Sequence, residues 1–285
     1  MVVREGSLSA AARALGVAQP TLGRHVDALE AALGMRLFQR SLDGLVPTDA
    51  ALRLAPAAEA MAAAAEAALR AVSAAPEQES GSVRITASEV VGGEVLPAIL
   101  ADLRERHPRI VIELVLTNRN EDLLRGAADI AVRMMRPTQE ALVARRVGRI
   151  DIGLYAHRLY LKRHGTPRSL ADAPRHSLVG FDRDPIAARL LERWGVPLTR
   201  DAFGLRTDND LAQLNAVRAG AGIGAMQVGL ARRDRNLVAV LQKELTLPLE
   251  MWLVMHRDLR TSRRMGLVFD HLALQLEAYA SSSRR

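Results

Sequence analysis

The fold of the N-terminus is decided by residues 5–40, which read EGSLSAAARALGVAQPTLGRHVDALEAALGMRLFQR. Ser7 is a favourable N-cap, and apolar residues follow it at the i, i+3, i+4 and i+7 spacing of one helix face, up to Gly16. A second helix is predicted to begin at Gln19-Pro20, because proline in a first turn loses no hydrogen bond. Two short helices joined by a tight glycine turn predict a helix-turn-helix.

The outward face of the second helix carries side chains that can reach base edges or phosphates in a major groove, namely Gln19, Thr21, Arg24 and His25. A helical hairpin on any protein surface would show the same pattern, so the residues alone leave both interpretations open. Residues 37–48, LFQRSLDGLVPT, predict a short strand pair around Asp43-Gly44, with Arg40 placed to meet a phosphate. Such a pair would form a wing beside the recognition helix.

The run from EGSLSAAARALGV through AQPTLGRHVDALEAALGMRLFQR closely resembles the start of LysR-type transcriptional regulators. The resemblance implies that Arg40 is the wing arginine and that the recognition helix opens with Gln19, Pro20, Thr21 and Arg24. The family usually has serine where Ala18 and Gly23 stand, so a helix cap and a phosphate contact are missing here. We therefore expect an altered sequence preference.

The family begins with another helix before this stretch, and only Met1 to Arg4 of it are present here. The chain is therefore expected to be N-terminally truncated relative to the family. Without that helix, we expect partial exposure of the side chains that it would cover, which are Leu8, Ala12, Leu22 and Val26.

An alanine-rich stretch from Thr48 to Ala75 predicts one long helix, which Pro56 should kink or locally unwind. Its apolar stripe consists of small and sparse residues and cannot bury itself within one chain, so it needs a partner helix. The alternative is an ordinary helix on its own domain's core, whereas the family resemblance implies a two-helix dimer contact. The composition of residues 76–81, PEQESG, is that of a linker.

Beyond the linker, strands alternate with helices, which predicts a mainly parallel α/β sheet. One set of strands lies at 83–88, 110–117 and 129–134, and a second set at 176–181, 202–207, 222–227, 237–241 and 250–255. Strands near 151–156 and 252–257 lie at the junctions, so the chain is expected to cross between two lobes twice. This arrangement resembles the periplasmic-binding-protein-like effector domain of the LysR family.

Ligands of α/β sheets bind beyond the carboxyl ends of strands, so the residues just after the strands are candidate effector contacts. These are Ser88, Glu89, Thr117, Asn118, Arg133 and Met134, with Phe181 and Asp208 across the gap. Ser88 and Thr117 match positions that commonly bind the effector in the family. For each residue, and for Thr117 and Asp208 in particular, a structural turn role is the alternative.

The amino-acid composition excludes some kinds of site and predicts the charge of the effector. There is no cysteine, which excludes disulfides and thiolate metal sites, and the seven histidines show no metal-ligand spacing. The net charge is +7, yet residues 1–50 carry equal numbers of arginines and acids, so the excess lies in the sensing region. Together with Arg133 this positive excess predicts an anionic effector, since a guanidinium can bind a carboxylate through two hydrogen bonds.

The GAGIG run at 220–224 follows a helix, whereas a dinucleotide-binding loop follows a strand and precedes a helix. Gly220 is therefore predicted to end that helix.

The predicted architecture is α + α/β, with a winged helix-turn-helix at 1–48, a linker or dimerisation helix at 49–75, a hinge at 76–81 and an effector-binding domain at 82–285. Its lobe I would comprise about 82–152 and 257–285, and its lobe II about 153–256. The predicted function is a cytoplasmic DNA-binding regulator controlled by a small molecule, without cofactor, metal or membrane. Its expected partners are double-stranded DNA, further copies of itself as a dimer or tetramer, and RNA polymerase. The alternative is a cytosolic small-molecule-binding protein or an enzyme on the same two-lobed fold.

Overall fold

The computed structural model describes residues 1–41, 44–72, 79–118, 128–137, 139, 141–185, 188–189, 192 and 199–283. The chain divides into two compact units, Met1–Glu66 and Ala67–Arg285. Each unit has its own apolar core. No described helix is both long and apolar enough to cross a membrane.

The first unit begins with three helices, α1 (Val2–Glu5), α2 (Leu8–Leu15) and α3 (Gln19–Leu33). The Ser7 hydroxyl accepts a hydrogen bond from the Ala10 amide at 3.1 Å, and Gly16 ends α2 with a left-handed φ of 66°. The predicted cap, turn and helix start are therefore confirmed. A hairpin of β1 (Phe38–Ser41) and β2 (Gly44–Pro47) follows, and α4 (Asp49–Val72) is helical through Pro56.

The expected exposure of the first unit's core is wrong at two positions. Ala12 and Leu22 are buried, and Val2 of the short α1 is buried in the same cluster. Leu8 and Val26 are partly buried against it. The single turn of α1 thus belongs to the cluster that buries Ala12 and Leu22, whereas the expected partial exposure holds for Leu8 and Val26.

Among the described residues of the second unit, one sheet has nine strands: β3 (Gly81–Ala87), β4 (Ile110–Leu116), β5 (Ile130–Arg133), β6 (Leu142–His157), β7 (Leu178–Gly180), β8 (Leu205–Arg206), β9 (Ile223–Gln227), β10 (Leu237–Val240) and β11 (Thr246–His256). Their order is β4-β3-β5-β11-β6-β9-β7-β8, with β10 paired to β6.

This sheet is mixed, which corrects the expectation of a mainly parallel one. β3 pairs in parallel with β4 and β5, and β7 pairs in parallel with β8 and β9. The long strands β6 and β11 are antiparallel to each other along all of β11. They lie between the two parallel sets because the chain leaves the first set along β6 and returns along β11.

Two lobes are built around these sets. The first lobe contains β3–β5 with α5 (Glu89–Glu94), α6 (Leu96–Arg106) and the C-terminal α10 (Arg263–Ser282). The second contains β7–β10 with α7 (Arg158–His164), α8 (Asp210–Arg218) and α9 (Val228–Ala231). The segment between β3 and β4 forms two helices, α5 and α6, because Pro97 has no N–H to continue the hydrogen-bond ladder from α5.

Candidate nucleic-acid interface and effector site

Helix α3, the predicted recognition helix, presents its predicted contact residues to solvent. Gln19, Pro20, Arg24 and His25 are exposed, and Thr21 is partly exposed. The Ser9 hydroxyl donates to Gln19 Oε1 at 3.1 Å, which ties the start of α3 to α2. Arg40 lies in β1 opposite Leu45, but its side chain lies outside the described residues, as does Asp43.

Glu30 holds the wing hairpin against α3, a role that sequence reasoning missed. Its buried carboxylate accepts hydrogen bonds from the amides of Leu37 at 2.7 Å and Phe38 at 3.0 Å, and from Arg36 Nη1 at 2.8 Å. The two backbone donors lower the pKa of Glu30, and Arg36 lowers it further. The sequence feature that could have revealed this role is an acidic residue near the end of a helix that precedes a predicted hairpin.

A lowered pKa in the folded state stabilises the fold at neutral pH, and this contribution is lost as pH falls through the folded pKa. We therefore expect the first unit to lose stability on acidification below the ordinary glutamate range. Glu30→Gln should lower the thermal midpoint at neutral pH and flatten its dependence on pH. Circular dichroism melts between pH 7 and 3 test this, with Glu59→Gln on the exposed face of α4 as the control. Identical pH profiles for wild type and Glu30→Gln would contradict the assignment.

The ends of β3 and β4 bring two predicted effector contacts together. Ser88 and Thr117 follow paired parallel strands, and the Thr117 amide donates to Ala87 O at 2.8 Å. Ser88 is the N-cap residue of α5, yet its hydroxyl makes no cap hydrogen bond. Within the described part of the chain, Ser88 Oγ is buried and has no hydrogen-bond partner. A buried, unsatisfied hydroxyl is unfavourable unless a ligand or water pairs with it.

Glu89 and Asn118 bind the second lobe directly. Asn118 Oδ1 accepts from the Glu89 amide at 3.2 Å, and Asn118 Nδ2 donates to Asp210 Oδ2 at 3.1 Å. The Asp210 amide, in the first turn of α8, donates to Glu89 Oε2 at 2.8 Å. Burial raises the pKa of Asp210, the Asn118 hydrogen bond lowers it, and repulsion from Glu89, Asp184 and Asp208 raises it, with a net increase.

An ion pair joins the lobes beside this contact. Arg218 donates from Nη1 to Glu94 Oε1 at 2.8 Å and from Nη2 to Glu94 Oε2 at 2.7 Å, a bidentate geometry. These hydrogen bonds lower the pKa of Glu94 and raise that of Arg218. We call the set Glu89, Asn118, Asp210, Glu94 and Arg218 the interlobe bridge.

Two further predicted contacts are engaged within the first lobe. Arg133 is buried in β5 and donates to Thr86 Oγ1 at 3.0 Å and to Val132 O at 3.1 Å. Met134 packs against the first lobe's core. The guanidinium that was expected to grip an effector thus already binds groups of the protein.

Across the gap, the structure favours a turn role for Asp208. Its carboxylate accepts from the backbone amides of Asp182, Arg183 and Asp184 at 2.8–3.1 Å and so shapes the loop after β7. Burial raises the pKa of Asp208, but the backbone donors outweigh it, and the net pKa is lowered.

A cavity of about 180 Å³ lies in the second lobe. Phe181 lines it and packs edge-on against Phe203, with ring centroids 5.1 Å apart. Of the eight predicted effector contacts, Phe181 alone lines this cavity, whereas Asp210 of the interlobe bridge also lines it. Neither residue pattern nor spacing indicated the cavity, because its walls come from positions between 152 and 247.

Comparisons with known proteins bear on both units. Residues 1–52 match the model of the bacterial regulatory helix-turn-helix protein, lysR family, and residues 76–277 match that of the LysR substrate binding domain. The chain belongs to the LysR family.

Its relatives include a probable HTH-type transcriptional regulator, LtrA, of Klebsiella pneumoniae, which is 27% identical over 99% of this chain and 94% of that protein. The regulator CbbR of Xanthobacter flavus is 30% identical over 91% of this chain and 80% of its own length. The fold resembles full-length CbnR solved with its target DNA, with a TM-score of 0.64 and 20% identity over 96% of each chain.

This LysR-type protein is thus a transcriptional regulator with a helix-turn-helix DNA-binding domain and an effector-binding domain. The comparisons give no support to the alternative of an enzyme on the same fold. Within the described residues, no group of histidine and carboxylate side chains could hold a metal ion.

Proposed function

We propose that the regulator binds promoter DNA through the exposed face of α3 and the wing. The observation that carries this proposal is the placement of Gln19, Pro20, Arg24 and His25 on the solvent face of a helix whose other face is fixed by Leu22. Thr21 at the start of the helix and Arg40 of the wing complete the contact set. Paired helices of this kind read half-sites about one DNA turn apart, or multiples of it.

A homo-oligomer, as a dimer or a tetramer, is part of the proposal. On α4, Leu52 is 51% and Met61 76% exposed, so the described residues of the first unit leave these two apolar side chains largely uncovered. A second copy of α4 would cover it, consistent with a linker helix at 49–75 between a DNA-binding domain at 1–48 and a hinge at 76–81.

We further propose that a small-molecule effector binds between the lobes of the domain at 82–285. Ser88 supports this proposal because its buried hydroxyl has no hydrogen-bond partner among the described residues, and Thr117 follows the neighbouring strand. Glu89, Asn118, Met134, Phe181 and Asp208 stay predicted contacts. An anionic effector, predicted from Arg133 and the positive charge of the sensing region, stays a prediction. The Arg133 side chain is buried and already donates hydrogen bonds to Thr86 and Val132.

Effector binding would act through the interlobe bridge. A ligand shifts an equilibrium only by the difference in its affinity for the two states. The effector must therefore make different contacts in the lobe arrangement that keeps the interlobe bridge and in the arrangement that breaks it. A change in the arrangement of the lobes would then change the relative placement of the DNA-binding domains in the oligomer. Contact with RNA polymerase and a cytoplasmic location belong to the same proposal.

Fluorescence anisotropy with the intergenic DNA beside the gene tests the DNA-binding function. We expect binding that is tighter than to a scrambled duplex, and a logarithm of affinity that falls linearly with the logarithm of salt concentration. Each phosphate contact contributes a slope of about −0.9. Equal affinity for both duplexes across the salt range would refute specific recognition.

A further inference from the structure

We propose that Ser9 is a positioning residue for DNA recognition, which orients the Gln19 side chain so that its amide nitrogen reads a hydrogen-bond acceptor on a base edge. The inference rests on the proposed DNA-binding function and deepens it, because it names the kind of base edge that Gln19 selects. It is carried by one contact between α2 and α3, by the fixed position of the residues that make this contact, and by the donor and acceptor atoms of the amide.

The contact joins the first turn of α2 to the start of α3. The Ser9 hydroxyl donates a hydrogen bond to Gln19 Oε1 at 3.1 Å. Among the described residues, it is the sole side-chain hydrogen bond between these two helices. Ser9 is partly buried, whereas Gln19 is exposed on the face of α3 that we propose to meet DNA. Ser9 is therefore placed to act on DNA through Gln19.

The residues around Ser9 are held in place within the first unit. Ser7 caps α2 through its hydrogen bond with the Ala10 amide, and Ala12 on the next turn is buried. The turn that leads to α3 is closed by the Val17 amide, which donates to Ala12 O at 3.0 Å. The Ser9 hydroxyl thus has a fixed position relative to the start of α3.

The start of α3 has no side-chain cap of its own. Its N-cap residue, Ala18, makes no side-chain hydrogen bond. In the described part of the chain, Gln19 Oε1 is engaged by Ser9, and Gln19 Nε2 has no hydrogen-bond partner. Ordering a glutamine side chain only on binding lowers affinity by about fivefold, so a side chain that is ordered in advance avoids that loss.

The orientation of the amide decides which base edge it can read. A glutamine binds adenine through both amide atoms, since its oxygen accepts from N6 and its nitrogen donates to N7. In this chain Gln19 Oε1 already accepts from Ser9, so Nε2 is the atom that Gln19 presents to a base. In the major groove guanine has two acceptors, N7 and O6, whereas cytosine has only the N4 donor. We therefore expect Gln19 to prefer guanine and to disfavour cytosine.

Fluorescence anisotropy on the full chain tests this preference with the promoter duplex and with duplexes in which each base pair of the binding site is replaced in turn by the other three. At one base pair of each half-site, the wild type should prefer guanine about tenfold over cytosine, and Gln19→Ala should abolish this discrimination. Gln19→Glu keeps an oxygen for Ser9 but replaces the amide nitrogen with an acceptor, so the preference should change to cytosine, whose N4 donates. Adenine as the wild-type preference at that base pair, or an unchanged order of bases for Gln19→Glu, would overturn the proposal.

Variants of Ser9 test the positioning role. Ser9→Ala should weaken binding to the promoter duplex about fivefold and reduce the guanine preference, while the salt slope stays unchanged because no phosphate contact is lost. Ser9→Thr keeps the hydroxyl and should restore both. The matched control is Ser281→Ala, which removes an exposed hydroxyl from a helical position in α10. Equal weakening by the control would refute a specific role of Ser9.

A double-mutant cycle separates positioning from a direct or structural role. In a chain that already carries Gln19→Ala, the Ser9→Ala substitution should leave promoter affinity unchanged, because Ser9 acts through Gln19. A fivefold loss in both backgrounds would contradict the proposal. Equal binding of promoter and scrambled duplexes by the wild type would refute the DNA-binding function itself. Specific binding by the wild type that Ser9→Ala does not alter would refute only the role of Ser9.

Discussion

Gly222→Ala is expected to destabilise the effector domain by about 3 kcal/mol, the upper part of the range for steric overpacking. A β-carbon at Gly222 would lie 2.3 Å from Ser177 O and 2.9 Å from Ser177 C, both of which are backbone atoms. The same oxygen accepts the Ile223 amide at 2.9 Å, so it cannot move away without losing that hydrogen bond. The clash must therefore displace β9 or the segment before β7.

Gly266→Ala is the matched control for that substitution. Gly266 lies in α10, and nothing stands within 4 Å of a β-carbon there, so alanine should stabilise the helix by about 1 kcal/mol. Chemical denaturation of both variants measures the free energy of unfolding. A Gly222→Ala midpoint equal to that of wild type would show that the backbone accommodates the β-carbon, contrary to this account.

Arg24→Ala is expected to weaken specific DNA binding by about 1 to 3 kcal/mol if the guanidinium reads a guanine edge. If Arg24 instead meets a phosphate, binding to all duplexes should weaken alike and the salt slope should fall by about 1. Arg24 is exposed on α3 and has no role in the core of the first unit, so folding should be unaffected.

Anisotropy titrations with the promoter duplex and a scrambled duplex at two salt concentrations distinguish these outcomes. Arg53→Ala removes the same charge from an exposed position on α4 and serves as the control. Unchanged affinity of Arg24→Ala for both duplexes would remove this residue from the interface.

The N-terminal unit was predictable because its signals are local. The Ser7 cap, the left-handed Gly16 and the helix start at Gln19 are all confirmed, and each depends on residues within one or two turns. Gly220, predicted to end a helix, has a φ of 81° just after α8. The expected exposure of Ala12 and Leu22 failed because the four residues of α1 already form a helical turn.

The sensing region was predictable strand by strand but not in its pairing. The strand segments predicted from the sequence coincide with most of the observed strands, whereas the antiparallel pairing of β6 with β11 joins segments that are about 100 residues apart. Glu89 and Asn118, which stay predicted effector contacts, also bind Asp210, at separations of 121 and 92 residues. No local pattern encodes such distant partners.

The pairing of β6 with β11 determines how the two lobes can move. Both strands belong to one continuous sheet that enters each lobe, and their ladder extends from Thr246 to His256 with a single irregularity between Met251 and Trp252. Opening the lobes as separate bodies would break that ladder, so relative motion has to be elastic bending of two shared strands. The bulge at Met251 and Trp252 is where the pleat is already interrupted, so bending costs least there. The two lobes of the effector domain are thus connected by a bendable region of the shared sheet, and not by a hinge loop.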